Sequence, residues 1–163
     1  MASRELVVGI DAGIAHMSIF AAYRDEITKP IMWSVERICP PASKYAWEDA
    51  HGGAMLFCEK YKALLDEAEC IALEQQMRDQ FTVINATIAT LYPRKYHRCH
   101  PHTIGAAFKL PRRREAKKKA SIAYVSNRVG EAWPADAKKQ DDLADSALLA
   151  FYVHHFLLDP LTT

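Results

Sequence analysis

The stretch Glu5–Gly13, ELVVGIDAG, decides the fold. Its first six residues form a short apolar run rich in valine, which Asp11-Ala12-Gly13 ends. A short apolar run bounded by turn residues predicts a buried central β-strand. Asp11 would then lie at the carboxyl end of that strand, where an acidic residue often does no more than begin a turn.

The rest of the chain alternates between short apolar runs and segments with helical spacing. Further strands are predicted at residues 16–23, 27–38, 70–73 and 95–99. A loop is predicted after Cys99, through Pro111. Helices are predicted at residues 47–65, 79–91, 114–129 and 143–158. Strands that come first and then alternate with helices predict an α/β domain. We therefore expect one domain over residues 1–163, with a mixed five-stranded sheet and helices on both faces.

The composition is that of an ordinary globular protein, with half of the 163 residues hydrophobic and a quarter charged. No apolar run approaches the roughly 18 residues of a membrane span. Only Met1–Arg4 precede the first apolar run, so we expect no secretory signal. Cys39, Cys58, Cys70 and Cys99 are far apart without a C-x-x-C pair, which predicts free thiols. Together these features predict an intracellular, cytoplasmic protein.

A net charge of +1 conceals a strongly basic segment. Residues 94–128 contain eleven Lys or Arg and one acid, Glu115, so the rest of the chain is acidic. A concentrated basic block attracts the phosphate backbone of nucleic acids. A solvated helix face next to a loop would explain the same composition.

Three apolar elements each present an acid at one end: Asp11, Glu74 after CIAL, and the pair Asp142 and Asp145 in the last helix. Neighbouring parallel strands would bring Asp11 and Glu74 to the same edge of the sheet. Asp142 and Asp145 are three residues apart and share a helix face, whereas Asp141 should turn away. Taken singly, Asp142 and Asp145 are explained by capping or the helix dipole, and Asp11 and Glu74 by the start of a turn. Four converging acids need a counter-charge, and oxygen ligands suit Mg²⁺ or Mn²⁺.

These motifs resemble a known family. The segments Gly9–Gly13, Ala72–Gln76 and Asp141–Ser146, in this order and spacing, resemble the Holliday junction resolvases of the RuvC type, above all their poxvirus and large-DNA-virus branch. The basic stretch Thr103–Ile122 resembles that branch as well, and the resemblance spans Val7–Ala150. It implies an RNase H-like fold and a homodimeric endonuclease that nicks four-way DNA junctions symmetrically.

The resemblance also implies roles for the acids. Asp11, Glu74, Asp142 and Asp145 match the four catalytic, metal-ligating acids of the family, which act with Mg²⁺ or Mn²⁺, two ions per active site. Asp11 would be the bridging ligand because it belongs to the central strand. Asp141 matches an additional Asp of the viral branch that the catalytic set does not need. Two ions support in-line hydrolysis of a phosphodiester, leaving 5′-phosphate and 3′-hydroxyl ends.

DNA contacts are predicted in the basic segment and after Glu74. The predicted residues are Arg78, Phe81, Lys109, Arg112, Arg113, Arg114, Lys117, Lys118 and Lys119. Lys118 and Lys119 match family residues of which one approaches the scissile phosphate. Phe81 is the candidate for stacking on a splayed base, although such aromatic residues more often belong to a core. The helix over residues 81–91 has a rich apolar face, for which we expect a dimer interface.

Other functions remain open. A nuclease for RNA–DNA hybrids would use the same fold, and a non-catalytic junction-binding protein would use the same basic segment. The latter would gain nothing from four acids that face phosphates. Asp-x-Gly after a first strand also occurs in ATP-binding kinases, but that fold needs a second domain for which 163 residues leave no room. We expect neither a small-molecule substrate nor a membrane partner. The segment HRCHPH, residues 97–102, is too crowded for a usual zinc site.

Overall fold

The protein is built on a mixed β-sheet. The computed structural model describes residues 4–13, 15–39, 47–77 and 79–158. The strands are β1 (Leu6–Ala12), β2 (His16–Tyr23), β3 (Met32–Arg37), β4 (Cys70–Glu74) and β5 (Tyr96–Cys99). They lie in the order β3-β2-β1-β4-β5, where β1, β2 and β3 pair antiparallel and β4 pairs parallel with both β1 and β5. The predicted mixed five-stranded sheet is confirmed.

Helices cover both faces of this sheet, as predicted. They are α1 (Trp47–Lys60), α2 (Lys62–Glu67), α3 (Asp79–Leu91), α4 (Pro101–Ala107), α5 (Arg114–Val129) and α6 (Gln140–Tyr152), which continues into a π-helical turn, Val153–Leu158. One buried cluster joins α1, α2 and α3 to Leu6, Val8 and Ile10 of β1, and the other joins α4, α5 and α6 to Val7. None of the described helices has the length and apolar character needed to span a membrane.

The alternation of side chains along the strands decides which face the acids share. Val7 of β1 and Ala72 of β4 both belong to the core beneath α6. Because successive side chains of a strand point to opposite faces, Asp11 lies on the same face as Val7, and Glu74 on the same face as Ala72. Both acids therefore face the α6 side of the sheet.

Helix α6 lies directly on β1 because residue 9 has no side chain. A β-carbon on Gly9 would lie 2.8 Å from the backbone nitrogen of Ala150 and closer still to the carbonyl oxygen of Ser146. Only glycine permits so close an approach of two backbones. The packing fixes the height of α6 above the strand that ends at Asp11.

Two predicted elements differ from the structure in their extent. The strand predicted over residues 27–38 is shortened to Met32–Arg37, because the chain first makes a turn in which Lys29 N–H donates to the carbonyl of Glu26. Pro30 then lacks the N–H that a strand ladder uses. The helix predicted over residues 47–65 is broken at Tyr61, whose hydroxyl group bonds to Ser34 and Glu36 of β3 at 2.6 Å.

Helix α4 was not predicted, since a loop was expected through Pro111. Proline at its first position and the side chain of His100 begin the helix: the Nδ1 atom of His100 accepts a hydrogen bond from the N–H of His102 at 3.3 Å. The helices predicted over residues 79–91 and 114–129 have the expected bounds. The last helix, predicted over residues 143–158, begins three residues earlier at Gln140 and continues through the π-helical turn to Leu158.

Candidate active site

Asp11 and Glu74 end neighbouring strands at the carboxyl edge of the sheet. Ile10 of β1 and Leu73 of β4 are partners in the parallel ladder, so the residues that follow them are adjacent. Both acids also face α6, as the alternation of side chains requires. The parallel pairing expected from the sequence therefore brings these two carboxylates together.

The first two turns of α6 add two further acids at this edge. The charges of Asp145, Asp142 and Glu74 all act on the carboxylate of Asp11. All four side chains are half-buried. The structure thus gathers the four acids that the sequence singled out; we call Asp11, Glu74, Asp142 and Asp145 the acidic cluster.

The protonation of the cluster reflects burial and mutual repulsion. Burial, followed by the charges of Asp145 and Asp142, holds the pKa of Asp11 well above its usual range. Burial, together with the charge of Glu74, raises the pKa of Asp145 to about 7. Burial also raises the pKa values of Glu74 and Asp142. Carboxylates that are buried close to one another are stabilised by a bound cation or by a proton.

The donor set of the cluster fits a hard divalent cation. Four carboxylates supply only oxygen ligands, which Mg²⁺ and Mn²⁺ prefer. Within the described residues, no three His, Cys, Asp or Glu side chains already stand close enough to hold one ion. The chemistry of the donors and their unbalanced charge therefore support the fit, and ligation requires the carboxylates to draw together.

Three residues outside the cluster fix the first turns of α6. The hydroxyl of Ser18 on β2 donates to the hydroxyl of Ser146 at 2.6 Å, and both side chains are fully buried. Ser146 in turn donates to the carbonyl of Leu143 at 2.9 Å. The indole N–H of Trp33 on β3 donates to the same carbonyl at 3.0 Å. These bonds anchor the helical segment that carries Asp142 and Asp145.

Sequence reasoning did not find these anchors. Ser18 is a polar residue in an otherwise apolar strand and pairs with Asp11 across the β1–β2 ladder, which is a signal that the sequence does carry. Trp33 showed no such signal. Trp133 packs edge-to-face on Trp33, with ring centroids 5.4 Å apart.

The lysines at the start of α5 differ in what they face. The positive charge of Lys117 acts on Glu74 and Asp145 and partly offsets the burial that raises their pKa values. The Nζ atom of Lys118 forms an ion pair with Asp141 at 2.7 Å. Lys119 is exposed. The structure thus separates three consecutive lysines that the sequence grouped as DNA contacts.

A basic cleft of about 840 Å³ lies between α4 and the start of α5. Lys109, Arg112 and Lys117 line it together with His102. Lys109 has a φ of 53°, in the left-handed region that residues other than glycine rarely adopt. Because Lys117 also acts on Glu74, the cleft leads towards the acidic cluster. Arg113 and Arg114 are exposed beside it.

The remaining predicted contacts lie near α3. Arg78 lies outside the described residues, and Phe81 is half-buried near the start of the helix. Much of the apolar face predicted to form a dimer interface is used within the chain: Ile84 and Ile88 are buried in the core that α1 shares. A further cleft of about 440 Å³ lies between α3, the residues that follow Glu74, and β5.

The sheet order and the helices on both faces define an RNase H-like fold. The structure is similar to that of fowlpox virus resolvase in a complex with Holliday junction DNA, with a TM-score of 0.63 and 18% identity over 94% of this chain and 99% of that chain. It is also similar to Thermus thermophilus RuvC bound to a Holliday junction, with a TM-score of 0.55 and 14% identity over 91% of this chain and 94% of that chain.

A further structure of Thermus thermophilus RuvC gives a comparable result, with a TM-score of 0.56 and 17% identity over 91% of this chain and 95% of that chain. At such identities the likeness establishes the fold. No protein-family model and no curated protein matches the sequence. What the site does must therefore be argued from its own residues.

Proposed function

We propose that this protein is a Holliday junction resolvase, a metal-dependent endonuclease that nicks four-way DNA junctions symmetrically. The observation that carries the proposal is the acidic cluster, four half-buried carboxylates at the carboxyl edge of an RNase H-like sheet. The similarity to two resolvases solved with junction DNA supports the choice of substrate. We take residues 1–163 to form one domain.

In the proposed reaction the cluster holds two Mg²⁺ or Mn²⁺ ions. When bound, such ions stabilise charge on the scissile phosphate and on the leaving 3′ oxygen and help to deprotonate a water molecule. Asp11, on the central strand of the sheet, would be the ligand that both ions share. Glu74 and Asp145 would complete the two ligand sets. Asp142 would be a fourth ligand or would accept a hydrogen bond from the attacking water.

The basic residues hold the DNA over the cluster. Lys109, Arg112 and Lys117 line a cleft that leads to it, and their positive charge suits a phosphate backbone. Arg113, Arg114 and Lys119 extend this surface. Arg78 and Phe81 follow Glu74 in the chain, and we assign them to the DNA near the cut. Lys118 approaches the cut strand.

The symmetry of the substrate suggests a homodimer. One chain contributes a single acidic cluster, whereas resolution of a four-way junction needs two cuts that are related by symmetry. Two copies related by a two-fold axis present two such clusters. Junction DNA and a second copy are therefore the proposed partners, and no small-molecule or membrane partner enters the proposal.

A panel of substrates tests the proposal. The purified chain is incubated in Mg²⁺ with labelled four-way junction, linear duplex and RNA–DNA hybrid of the same sequence. Paired nicks in the junction, with little cutting of the other two, are expected. Preferential cutting of the hybrid would replace the proposal by an RNA–DNA hybrid nuclease. Tight junction binding without cutting in either Mg²⁺ or Mn²⁺ would instead indicate a non-catalytic junction-binding protein.

A further inference from the structure

An ion pair joins the first turns of α5 and α6. The Nζ atom of Lys118 lies 2.7 Å from Oδ2 of Asp141, and the two side chains are 38% and 26% exposed. From the helical step of about 100° per residue, Asp141 was expected to turn away from the acidic cluster. Its carboxylate pairs with Lys118 of α5, and its charge still acts on Asp11 and Asp145. Helix α5 passes close to the start of α6 and keeps the carboxylate near the cluster.

Among the described residues, Asp141 differs from Asp142 and Asp145 in forming a direct ion pair with a lysine. The Lys118 ammonium outweighs the effect of burial and lowers the pKa of Asp141, whereas the pKa values of Asp142 and Asp145 are raised. Backbone N–H groups of Asp141 and Asp142 add to this effect. Asp141 is thus already neutralised by the chain and is a poorer candidate for a metal ligand than its neighbours.

The position of Lys118 is accordingly set by Asp141. Of the other charges that bear on the ammonium, Arg114 of α5 repels it, whereas Glu115 of α5 and Asp142 of α6 attract it. Lysine has a flexible four-carbon stem, and without a partner an exposed ammonium samples many positions in solvent. Its three N–H donors leave two for another acceptor when one is given to Asp141.

We propose that Asp141 is a positioning residue, whose ion pair holds the Lys118 ammonium at the rim of the acidic cluster so that it donates to a phosphate oxygen of the strand being cut. The proposal rests on the proposed function, because it needs a scissile phosphate. It gives Asp141 a role in catalysis that acts through Lys118. The residue that contacts the substrate is Lys118.

The test compares Asp141→Asn, Lys118→Ala and the double variant in single-turnover cleavage of a four-way junction. Asp141 is the second residue of α6, and the amide oxygen of asparagine can still accept the backbone N–H bonds that its carboxylate accepts, so Asp141→Asn removes the ion pair while it keeps these bonds. We expect Asp141→Asn and Lys118→Ala each to slow cleavage by up to about 100-fold, the loss that a small displacement of a positioned group can cause. The double variant should be no slower than Lys118→Ala. Asp141→Glu should recover part of the rate.

Junction affinity, measured without divalent ions, provides a second readout. Asp141→Asn should leave the Kd unchanged or lower it, because it removes a negative charge near DNA. The matched control is Asp66→Asn, which breaks the Lys62–Asp66 ion pair on α2 and should change neither rate nor affinity. NMR of the metal-free protein should show that the Lys118 ammonium is restricted in its motion in the wild type. In Asp141→Asn the same group should move freely.

Each outcome is decisive. A wild-type cleavage rate in Asp141→Asn would overturn the positioning role. A further drop in rate in the double variant, beyond that of Lys118→Ala, would also overturn it and would indicate that Asp141 acts directly. A wild-type protein that cuts no junction overturns the proposed function and this proposal with it, whereas an active wild type with an unaffected Asp141→Asn overturns the positioning role alone.

Discussion

Gly9 of β1 lies directly against the carbonyl oxygen of Ser146 on α6, with no room for a β-carbon between the two backbones. Ser146 follows Asp145, and Asp11 follows Gly9 by two residues. The contact therefore ties together the two elements that supply three of the four acids in the cluster. Any change that lifts α6 from β1 should separate Asp11 from Asp145.

Gly9→Ala should accordingly destabilise the protein and abolish cleavage. Overpacking of a tight contact costs roughly 1–3 kcal/mol, and more where backbone atoms cannot move. Thermal unfolding and junction cleavage measure the two effects. The control is Gly52→Ala in α1, where an added β-carbon meets nothing within 4 Å. That change should stabilise the helix by about 0.5–1 kcal/mol. Equal behaviour of the two variants would contradict the assigned contact.

The buried hydrogen bond between Ser18 and Ser146 should show energetic coupling. Ser146→Ala leaves the buried Ser18 hydroxyl without its acceptor, at a cost of about 1–3 kcal/mol, whereas in Ser18→Ala the Ser146 hydroxyl keeps its bond to Leu143 and the cost should be smaller. Removing both hydroxyls should cost less than the sum of the two single changes. Urea unfolding of Ser18→Ala, Ser146→Ala and the double variant measures the coupling, which we expect to be about 1 kcal/mol. Strictly additive effects would mean that the bond does not hold α6 in place.

The raised pKa of Asp145 predicts how stability depends on pH without metal. The folded chain keeps a proton on Asp145 up to about pH 7, whereas the unfolded chain loses it near pH 4. Between these values the folded state binds more protons, so the free energy of unfolding falls as pH rises. Asp145→Asn removes this effect. In EDTA, the free energy of unfolding of the variant relative to that of the wild type should rise by roughly 1–3 kcal/mol between pH 5 and pH 8.

Chemical unfolding of both proteins at the two pH values measures this difference, and contributions from histidine titration cancel in the comparison. Millimolar Mg²⁺ should restore the stability of the wild type at pH 8, because a ligand that binds only the folded state stabilises it. The variant should respond less. Parallel pH profiles for the two proteins would show that Asp145 carries no raised pKa.

The exposed arginines that precede α5 should account for much of the salt dependence of DNA binding. Changing Arg112, Arg113 and Arg114 to Ala should lower the slope of log K against log salt by roughly one for each DNA phosphate that is no longer neutralised. The control changes Lys29, Lys60 and Lys62 to Ala, which removes the same charge outside the basic segment. An unchanged slope in the arginine variant would indicate that these residues are solvated and do not contact DNA phosphates.

The sequence was sufficient for the elements with strong local signals. The run Leu6–Ile10, followed by Asp11, predicted the central strand, and the second apolar run before Glu74 predicted its parallel neighbour. Pairing in a parallel sheet then required the two acids to meet. Helix α5 had the expected bounds because its polar and apolar residues alternate with a clear helical period.

Features that depend on packing between elements were not accessible in this way. The helix predicted over residues 47–65 changes course at Tyr61, whose hydroxyl group bonds to β3, and no local pattern signals that contact. Helix α4 is only seven residues long and has little periodicity. The ion pair between Asp141 and Lys118 depends on the position of α5 relative to α6. A helical wheel of α6 gives no information about that position.

The central claim is that the acidic cluster performs metal-dependent cleavage, and Asp11→Asn tests it most directly. Single-turnover cleavage of a labelled four-way junction is measured for the wild type, Asp11→Asn and the control Asp66→Asn over a range of Mg²⁺ concentrations, with junction affinity measured alongside. The wild type and the control should cut only when Mg²⁺ is present. Asp11→Asn should bind the junction at least as tightly and cut at no concentration. Cleavage by Asp11→Asn at the wild-type rate in saturating Mg²⁺ would contradict the account.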